Sequence, residues 1–248
     1  MSSSDPLSRR SFLTFAGLGT VSVLASCASS GTSQRFGGQI IEYRPPSFGG
    51  MFGSGALGNG PDVGAVDAAA TYGPIEDNGF LIPAVPYEQI DPRYYRQRVI
   101  DPTGEPPGTV VVDTPSRFLY LVEPGGSAMR YGIGVGREGF AWQGEGVIQW
   151  RQRWPRWKPP NEMVARQPEL AKYSIERGGM EPGLKNPLGA RALYIFQNGQ
   201  DTLYRLHGSP EWQSIGKAVS SGCVRLMNQD IIDLYNRVPT KARIVVYQ

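Results

Sequence analysis

Apolar residues are spaced in three different ways along this chain, and each spacing predicts a different kind of segment. Residues 12–25 are almost continuously apolar. From Ala28 to about Tyr87 no helical or strand period persists, and Gly, Pro, Ser and Ala dominate, as in Pro45-Pro46-Ser47-Phe48-Gly49-Gly50-Met51-Phe52-Gly53. A change of texture comes at residues 94–109, after which apolar and polar positions alternate with the period of half-buried strands. Residues 117–123 and 128–134 alternate around Pro124-Gly125-Gly126, and residues 191–197 and 202–207 flank Asn198-Gly199-Gln200, so two hairpins are expected. Residues 99–101, 109–113 and 242–247 add further strands.

Helices are few. Residues 228–235 begin with the N-cap type residue Asn228, carry Asp230 in the first turn and lead an apolar stripe at Ile231, Leu234, Tyr235 and Val238. Residues 161–173 form a weaker helical candidate, broken by Pro168. The pattern predicts a mainly β fold, a mixed β-sandwich with a few short helices, over residues 94–248, the size of one ordinary domain.

The segments before it predict export. Ser8-Arg9-Arg10-Ser11-Phe12-Leu13 reads as a twin-arginine signal. The apolar stretch behind it is too short to span a bilayer and has the length of a signal h-region. Leu24-Ala25-Ser26-Cys27 resembles a lipobox, in which cleavage precedes a cysteine that is then diacylated; the plainer alternative is an ordinary signal peptide with an incidental cysteine. Residues 1–26 are thus expected to be a signal peptide and residues 27–93 a disordered tether, because such a composition buries too little apolar surface to offset its ordering entropy. About sixty flexible residues reach on the order of 40 to 45 Å. The expected location is the periplasm, anchored to a lipid bilayer through Cys27. Ala28 offers no acidic retention signal, which favours the outer membrane over the inner.

Composition then narrows the chemistry. The chain has one histidine and two cysteines, a net charge of +3 and a pI near 8.9. The positive charge is dispersed, so no nucleic-acid footprint is read; Arg and aromatic residues cluster only at 93–98 and 150–157, as a domain edge and a pocket lip. With Cys27 committed to lipid, Cys223 has no disulfide partner, and a thiol in an oxidising compartment is a hazard unless it is used. Cys223 lies sixteen residues beyond His207, within Ser220-Ser221-Gly222-Cys223-Val224-Arg225 and Tyr204-Arg205-Leu206-His207-Gly208. An ordinary thiol is only a few per cent ionised near neutral pH and needs a base, and His207 is the sole imidazole.

His207 ends a predicted strand and Cys223 sits on a Gly-containing turn ahead of the capped helix, so both should project from the rim of the sheet. Gly222 lets the backbone turn sharply beside the thiol, and the N–H groups of Gly222 and Cys223 are candidate oxyanion donors. Arg225, two residues on, points to the same side of an extended segment, where it can lower the thiol pKa or pair with a substrate carboxylate. The plain alternatives are a buried small hydrophobe for Cys223, a structural imidazole for His207 and a structural ion pair for Arg225.

His207-Gly208 followed by Ser220-x-Gly222-Cys223-x-Arg225, with Asn186-Pro187-Leu188-Gly189 and Ala192-Leu193-Tyr194 upstream, resembles the YkuD-type L,D-transpeptidases of bacterial cell walls. The resemblance runs from about Pro107 to Gln248 and implies the same mixed β-sandwich. It implies acyl transfer on peptidoglycan stem peptides: Cys223 attacks the carbonyl of the third residue and releases the terminal D-Ala, and the thioester passes to an amine. His207 would serve as general base and then acid, its other nitrogen held by a backbone carbonyl, with Gly208, Ser220, Ser221, Gly222 and Arg225 in support. Two departures stand out. Some relatives carry His where Ser221 stands, and many have Thr-Pro-x-Gly where this chain has Phe140-Ala141-Trp142-Gln143-Gly144.

The acceptor stays open. A second stem gives a 3-3 cross-link, an outer-membrane or other envelope protein gives an anchor, and water makes the chain an L,D-carboxypeptidase. A non-catalytic lipoprotein that only binds peptidoglycan is the competing class. No cofactor is expected. Catalytic zinc needs three protein ligands, which one His and one thiol do not supply, and no Cys-x-x-Cys supports a thioredoxin-like role. Residues 150–160, with three Trp interleaved with Arg, read equally as a loop capping the site or as a Trp-rich core edge.

Overall fold

The computed structural model describes residues 34–36, 39–41, 67–136, 142–220 and 222–248; the expected signal peptide, Cys27, much of the expected tether and Ser221 lie outside them. The chain divides into two compact units, residues 1–52 and 53–248. In the first, β1 (Gln34–Phe36) pairs antiparallel with β2 (Gln39–Ile41).

The second unit holds the remaining elements. In chain order they are α1 (Ala68–Thr71), β3 (Ile75–Asp77), β4 (Phe80–Ile82), β5 (Gln97–Ile100), β6 (Val110–Asp113), β7 (Phe118–Glu123), β8 (Ser127–Gly132) and β9 (Val135–Gly136). They continue with β10 (Gly144–Arg153), α2 (Asn161–Arg166), β11 (Arg191–Gln197), β12 (Gln200–Ser209), β13 (Ala218–Ser220), β14 (Val224–Met227), α3 (Asn228–Arg237) and β15 (Arg243–Tyr247). Nine strands form one sheet in the order β14-β12-β11-β10-β15-β6-β7-β8-β5. Both expected hairpins are present, β7 with β8 around 124–126 and β11 with β12 around Asn198-Gly199.

Pairing is mixed: β12 runs parallel to β14 and β15 parallel to β6, while the hairpin neighbours are antiparallel. Val110, Leu119, Leu121 and Met129 from one end of the sheet share a single core with Leu193, Leu206, Val224 and Leu226 from the other. Strands so far apart in sheet order can share a core only if the sheet folds over on itself, which makes the mixed, mainly β sandwich that the alternation predicts. The ten-residue β10 serves both halves. Its residues 144–147 pair with β15 and its residues 147–153 with β11, with the register slipping between Ile148 and Trp150, where a bulge redirects the strand.

The stripe on α3 behaves as expected, with Ile231, Leu234 and Val238 buried in that core and Tyr235 packed on it. Its cap does not. Helix α3 starts after Met227 with no side-chain cap, and Asn228 Oδ1 instead accepts a 2.9 Å bond from the Ala190 N–H. That amide is buried, and an orphaned buried donor costs more than a missing cap on a helix otherwise held by its apolar face. Pro168 breaks the 161–173 candidate as expected: α2 ends at Arg166 and a 3₁₀ turn, Pro168–Tyr173, follows.

The expected boundary at residue 93 is displaced. Residues 67–93 are built into the second unit rather than strung out before it: Asp67 caps α1, β3 and β4 form a hairpin, and Tyr72, Ile82, Val85 and Ile90 are buried. The hairpin turns on Asn78-Gly79, both with positive φ (52° and 81°), a local hairpin signal. Averaged composition hides that signal in a Gly- and Pro-rich background. Tyr72 donates to Asp230 at the start of α3 across 3.4 Å, and Gln229 Nε2 donates to both Gly73 O (3.2 Å) and Pro83 O (3.0 Å), clipping together the two ends of the hairpin. The Asp230 carboxyl is fully buried, and burial pushes it up to about 7 despite the nearby Arg96 guanidinium.

Candidate active site

The register of four strands decides which side chains share the site. Directly opposed residues project to the same face of a sheet. Ala192 lies opposite His207, and His207 opposite Arg225; Trp150 lies opposite Tyr194, and Tyr194 opposite Arg205. Between them, Leu193, Leu206, Val224 and Leu226 project the other way into the core. Cys223 immediately precedes Val224, which pairs with Leu206, so it faces Arg205. One face therefore carries His207, Arg225, Arg205 and Cys223 together, with Tyr194 and Trp150 beside them.

His207 is only 5% exposed although it sits on the outer face, because the turn at 186–189 lies over it. Its Nδ1 is 2.6 Å from the Gly208 carbonyl oxygen. A carbonyl can only accept, so Nδ1 carries the proton and Nε2 presents a lone pair. Burial pushes the imidazole down to about 4, helped by the charges of Arg225 and Arg205 and opposed by the carbonyls of Gly208 and Pro187. Gly208 is required for space: a Cβ there would meet Asn228 Oδ1 at 2.4 Å and Ile231 Cγ2 at 2.9 Å.

Cys223 is a half-buried thiol outside any disulfide. Burial pushes it above the usual thiol range, while a main-chain hydrogen bond from Arg205 and the Arg205 and Arg225 charges act against that rise. With imidazole lowered and thiol raised, the resting pair is neutral at pH 7. A thiolate–imidazolium couple is therefore not the resting form. Gly222 has φ of +126°, which L side chains rarely adopt, so the sharp turn ahead of the thiol is present. Ser220 ends β13, which pairs with β9; Ser221 lies outside the described residues.

Arg225 forms the structural ion pair considered for it, and its charge reaches the thiol. Its Nη1 bonds Glu211 Oε2 at 2.6 Å, a fixed ion pair, and its main chain exchanges two bonds with Gly134. Held there, its charge acts on both His207 and Cys223. Of the two roles expected for residues 150–160, the core edge is present at Trp154, whereas Trp150 lies in β10 rather than on a capping loop. Trp150, 47% exposed, stacks at 3.9 Å on Tyr194, whose other neighbour is the Arg205 guanidinium at 4.7 Å, so it borders the site face. Trp154 is buried, with Nε1 donating to Asp77 at 2.7 Å, and belongs to the core edge.

Three positions gain a role that the sequence pattern does not assign. Arg205 is the cation that acts most strongly on the thiol, and its only sequence signal is proximity to His207. Asn186 looks like an ordinary turn residue. Its Oδ1 accepts from Leu188 N–H (2.9 Å) and its Nδ2 donates to the carbonyls of Pro155 (2.9 Å) and Glu181 (3.1 Å), which fixes the turn that aims the Pro187 carbonyl at His207. Asn228, a helix cap by sequence, instead holds Ala190 beside Gly208. Among the described residues no group of three or more His, Cys, Asp or Glu side chains could hold a metal ion, and no helix is long and apolar enough to cross a membrane.

A model of the L,D-transpeptidase catalytic domain (YkuD) matches residues 107–246. The chain belongs to this family. Among curated relatives, the Escherichia coli protein named "Probable L,D-transpeptidase ErfK/SrfK" is 32% identical over 55% of this chain and 43% of its own length. The E. coli "Probable L,D-transpeptidase YbiS" is 31% identical over 60% of this chain and 47% of its own. The chain thus spans under half the length of these relatives. Of solved structures, a Brucella melitensis protein named a "Probable carnitine operon oxidoreductase caia" is 46% identical, covering 62% of this chain and 94% of that one, at a TM-score of 0.44. L,D-transpeptidase 3 from Mycobacterium tuberculosis is 15% identical, covering 56% and 60%, at a TM-score of 0.42.

A neutral resting pair has a pH signature. The rate of Cys223 alkylation by iodoacetamide should climb from pH 6 to 9 by about tenfold per unit, as for a thiol titrating above that range. A plateau that begins near pH 5 would show a preformed thiolate and contradict the neutral pair.

Proposed function

We propose that the chain is a cysteine-dependent L,D-transpeptidase acting on peptidoglycan stem peptides through a Cys223 thioester. The observation that carries this reading is the shared face of His207 and Cys223, with the Nδ1 proton tied to Gly208 O so that Nε2 is left as the base. As the sulfur attacks the carbonyl carbon of the third stem residue, His207 takes the thiol proton. The bond to the terminal D-Ala breaks, and His207 returns the proton to the leaving amine. An acceptor amine then attacks the thioester, loses its proton to His207 and regenerates the thiol.

The resting imidazole lies below the range that favours a general base at neutral pH, so the negative charge that develops during attack must raise its basicity. A base near 4 binds a proton only when negative charge develops beside it, so it takes the thiol proton during attack and gives it up readily to the better base, the departing amine. The N–H groups of Gly222 and Cys223, on the turn set by the positive φ of Gly222, are the assigned oxyanion donors. Arg205 and Arg225 place positive charge where thiolate and oxyanion form. The acceptor assigned is an amine of a second stem, giving a 3-3 cross-link, or of an envelope protein.

Cys223→Ala and His207→Ala should each lower turnover of tetrapeptide muropeptides by at least about 10² to 10⁴ while circular dichroism stays native. Near-wild-type turnover in either variant removes the assignment, and release of tripeptide without cross-linked product would make the chain a carboxypeptidase.

The reading extends to location. Export through the Arg9-Arg10 signal and acylation of Cys27 place the head at the periplasmic face of a membrane, the outer one favoured by Ala28. Cys27→Ser should then move the protein from the membrane to the soluble periplasmic fraction and abolish labelling by a fatty-acid analogue. A wild-type protein that is soluble and unlabelled would reduce residues 1–26 to a cleavable signal.

A further inference from the structure

One buried cation of the second unit lies outside the proposed chemistry and leaves its Nε without a hydrogen-bond partner. Arg191, 2% exposed, grips Asp77 with two bonds, Nη1 to Oδ2 at 2.6 Å and Nη2 to Oδ1 at 2.7 Å. Asp77 ends the β3 strand of the 67–93 segment, which precedes the span 107–246 matched by the family model. The same carboxylate accepts from Trp154 Nε1 at 2.7 Å, and Phe80 on the hairpin's other strand stacks on Trp154 with centroids 4.1 Å apart. The Arg191 guanidinium pulls the Asp77 carboxyl below the usual carboxylate range, and the Trp154 hydrogen bond adds to the effect.

From Arg191 a short path leads to the imidazole. Arg191 Nη1 also donates to the Ala190 carbonyl at 2.8 Å, and that carbonyl accepts from Trp154 N–H at 2.8 Å. The Ala190 N–H is held by Asn228 Oδ1, the atom that lies against Gly208. Gly208 supplies the carbonyl that fixes the His207 tautomer, and the next residue after Arg191, Ala192, is the register partner of His207. Asp77 is partly exposed, but every later link is a hydrogen bond or a packed contact between buried groups, so a displaced Arg191 has few ways to relax before reaching Gly208.

We propose that Asp77 is a positioning residue for His207, and that the β3–β4 hairpin clamps the floor of the active site. The proposal rests on the reading of His207 and Cys223 as the catalytic couple. A carboxylate is required because Arg191 is buried: without it the guanidinium must recruit water or swing away, and either movement disturbs Ala190. The hairpin is fastened independently, by Gln229 to Gly73 and Pro83, so loss of the Asp77 carboxylate alone leaves its anchorage to α3 in place.

The test uses the full chain in four forms, wild type, Asp77→Ala, Asp77→Asn and Asp77→Glu, with His207→Ala as reference. Turnover of tetrapeptide muropeptide and the pH profile of that turnover are measured well below each variant's melting temperature. Asp77→Ala and Asp77→Asn should lose on the order of 10- to 100-fold in kcat with little change in KM. They should shift the pH profile of turnover toward that of His207→Ala, and Asp77→Glu should recover most of both. If Asp77→Ala does not fold, Asp77→Asn, which conserves shape, decides the question; if neither folds, Trp154→Phe removes one bond to the carboxylate and should show the same profile shift in smaller measure. A lower melting temperature with wild-type kcat and a wild-type profile would make Asp77 merely structural and overturn the proposal. Turnover unchanged by His207→Ala would instead overturn the catalytic reading beneath it.

Discussion

The parallel pairing of β12 with β14 is the constraint on which the site depends. Cys223 and His207 are brought together by ladder bonds that set Leu206 against Val224 and His207 against Arg225. Because side chains alternate, the same register that buries Leu206 and Val224 in the core sends His207 and Cys223 to the opposite face. A slip of one residue would put the imidazole in the core and leucine at the site. The apolar packing of the sandwich and the geometry of the reactive pair are therefore one requirement, and α3, following directly on β14, locks it with Ile231 and Leu234.

Burial supplies the electrostatics. Removing His207 from water lowers its basicity, and the same environment raises the thiol, so the pair rests uncharged. A neutral thiol is also less readily oxidised, since the thiolate is the oxidisable form. Two arginines put positive charge beside the thiol, each held by an acidic partner, Arg225 by Glu211 and Arg205 by Asp201. Fixed charge of this kind need not reorganise as the reaction proceeds.

Much of this is legible in the amino-acid sequence. The two hairpins, the α3 stripe and the break at Pro168 follow from strand alternation, helical periodicity and proline, all of which act over a few residues. The sandwich follows from the same alternation, and the motif around His207 and Cys223 carries the family. What escapes depends on distant partners. Asn228 has the chemistry of a cap, but a buried amide 38 residues away claims its oxygen. Asp77 and Arg191, separated by 114 positions, carry no local pattern at all. The 67–93 segment differs in kind: Asn78-Gly79 is a local signal, masked because the strands beside it are only three residues long and Tyr72 and Ile82 are stabilised only by docking on the domain.

The central claim, that Cys223 forms a thioester with the third residue of a stem peptide, is tested most directly by intact-protein mass spectrometry of the wild-type chain quenched in acid during turnover of a disaccharide-tetrapeptide. The account predicts a mass increase equal to the muropeptide less its terminal D-Ala, removed by hydroxylamine and mapped to the peptide containing Gly222-Cys223-Val224-Arg225. Turnover with no adduct at Cys223, or with the acyl group on another residue, would contradict it.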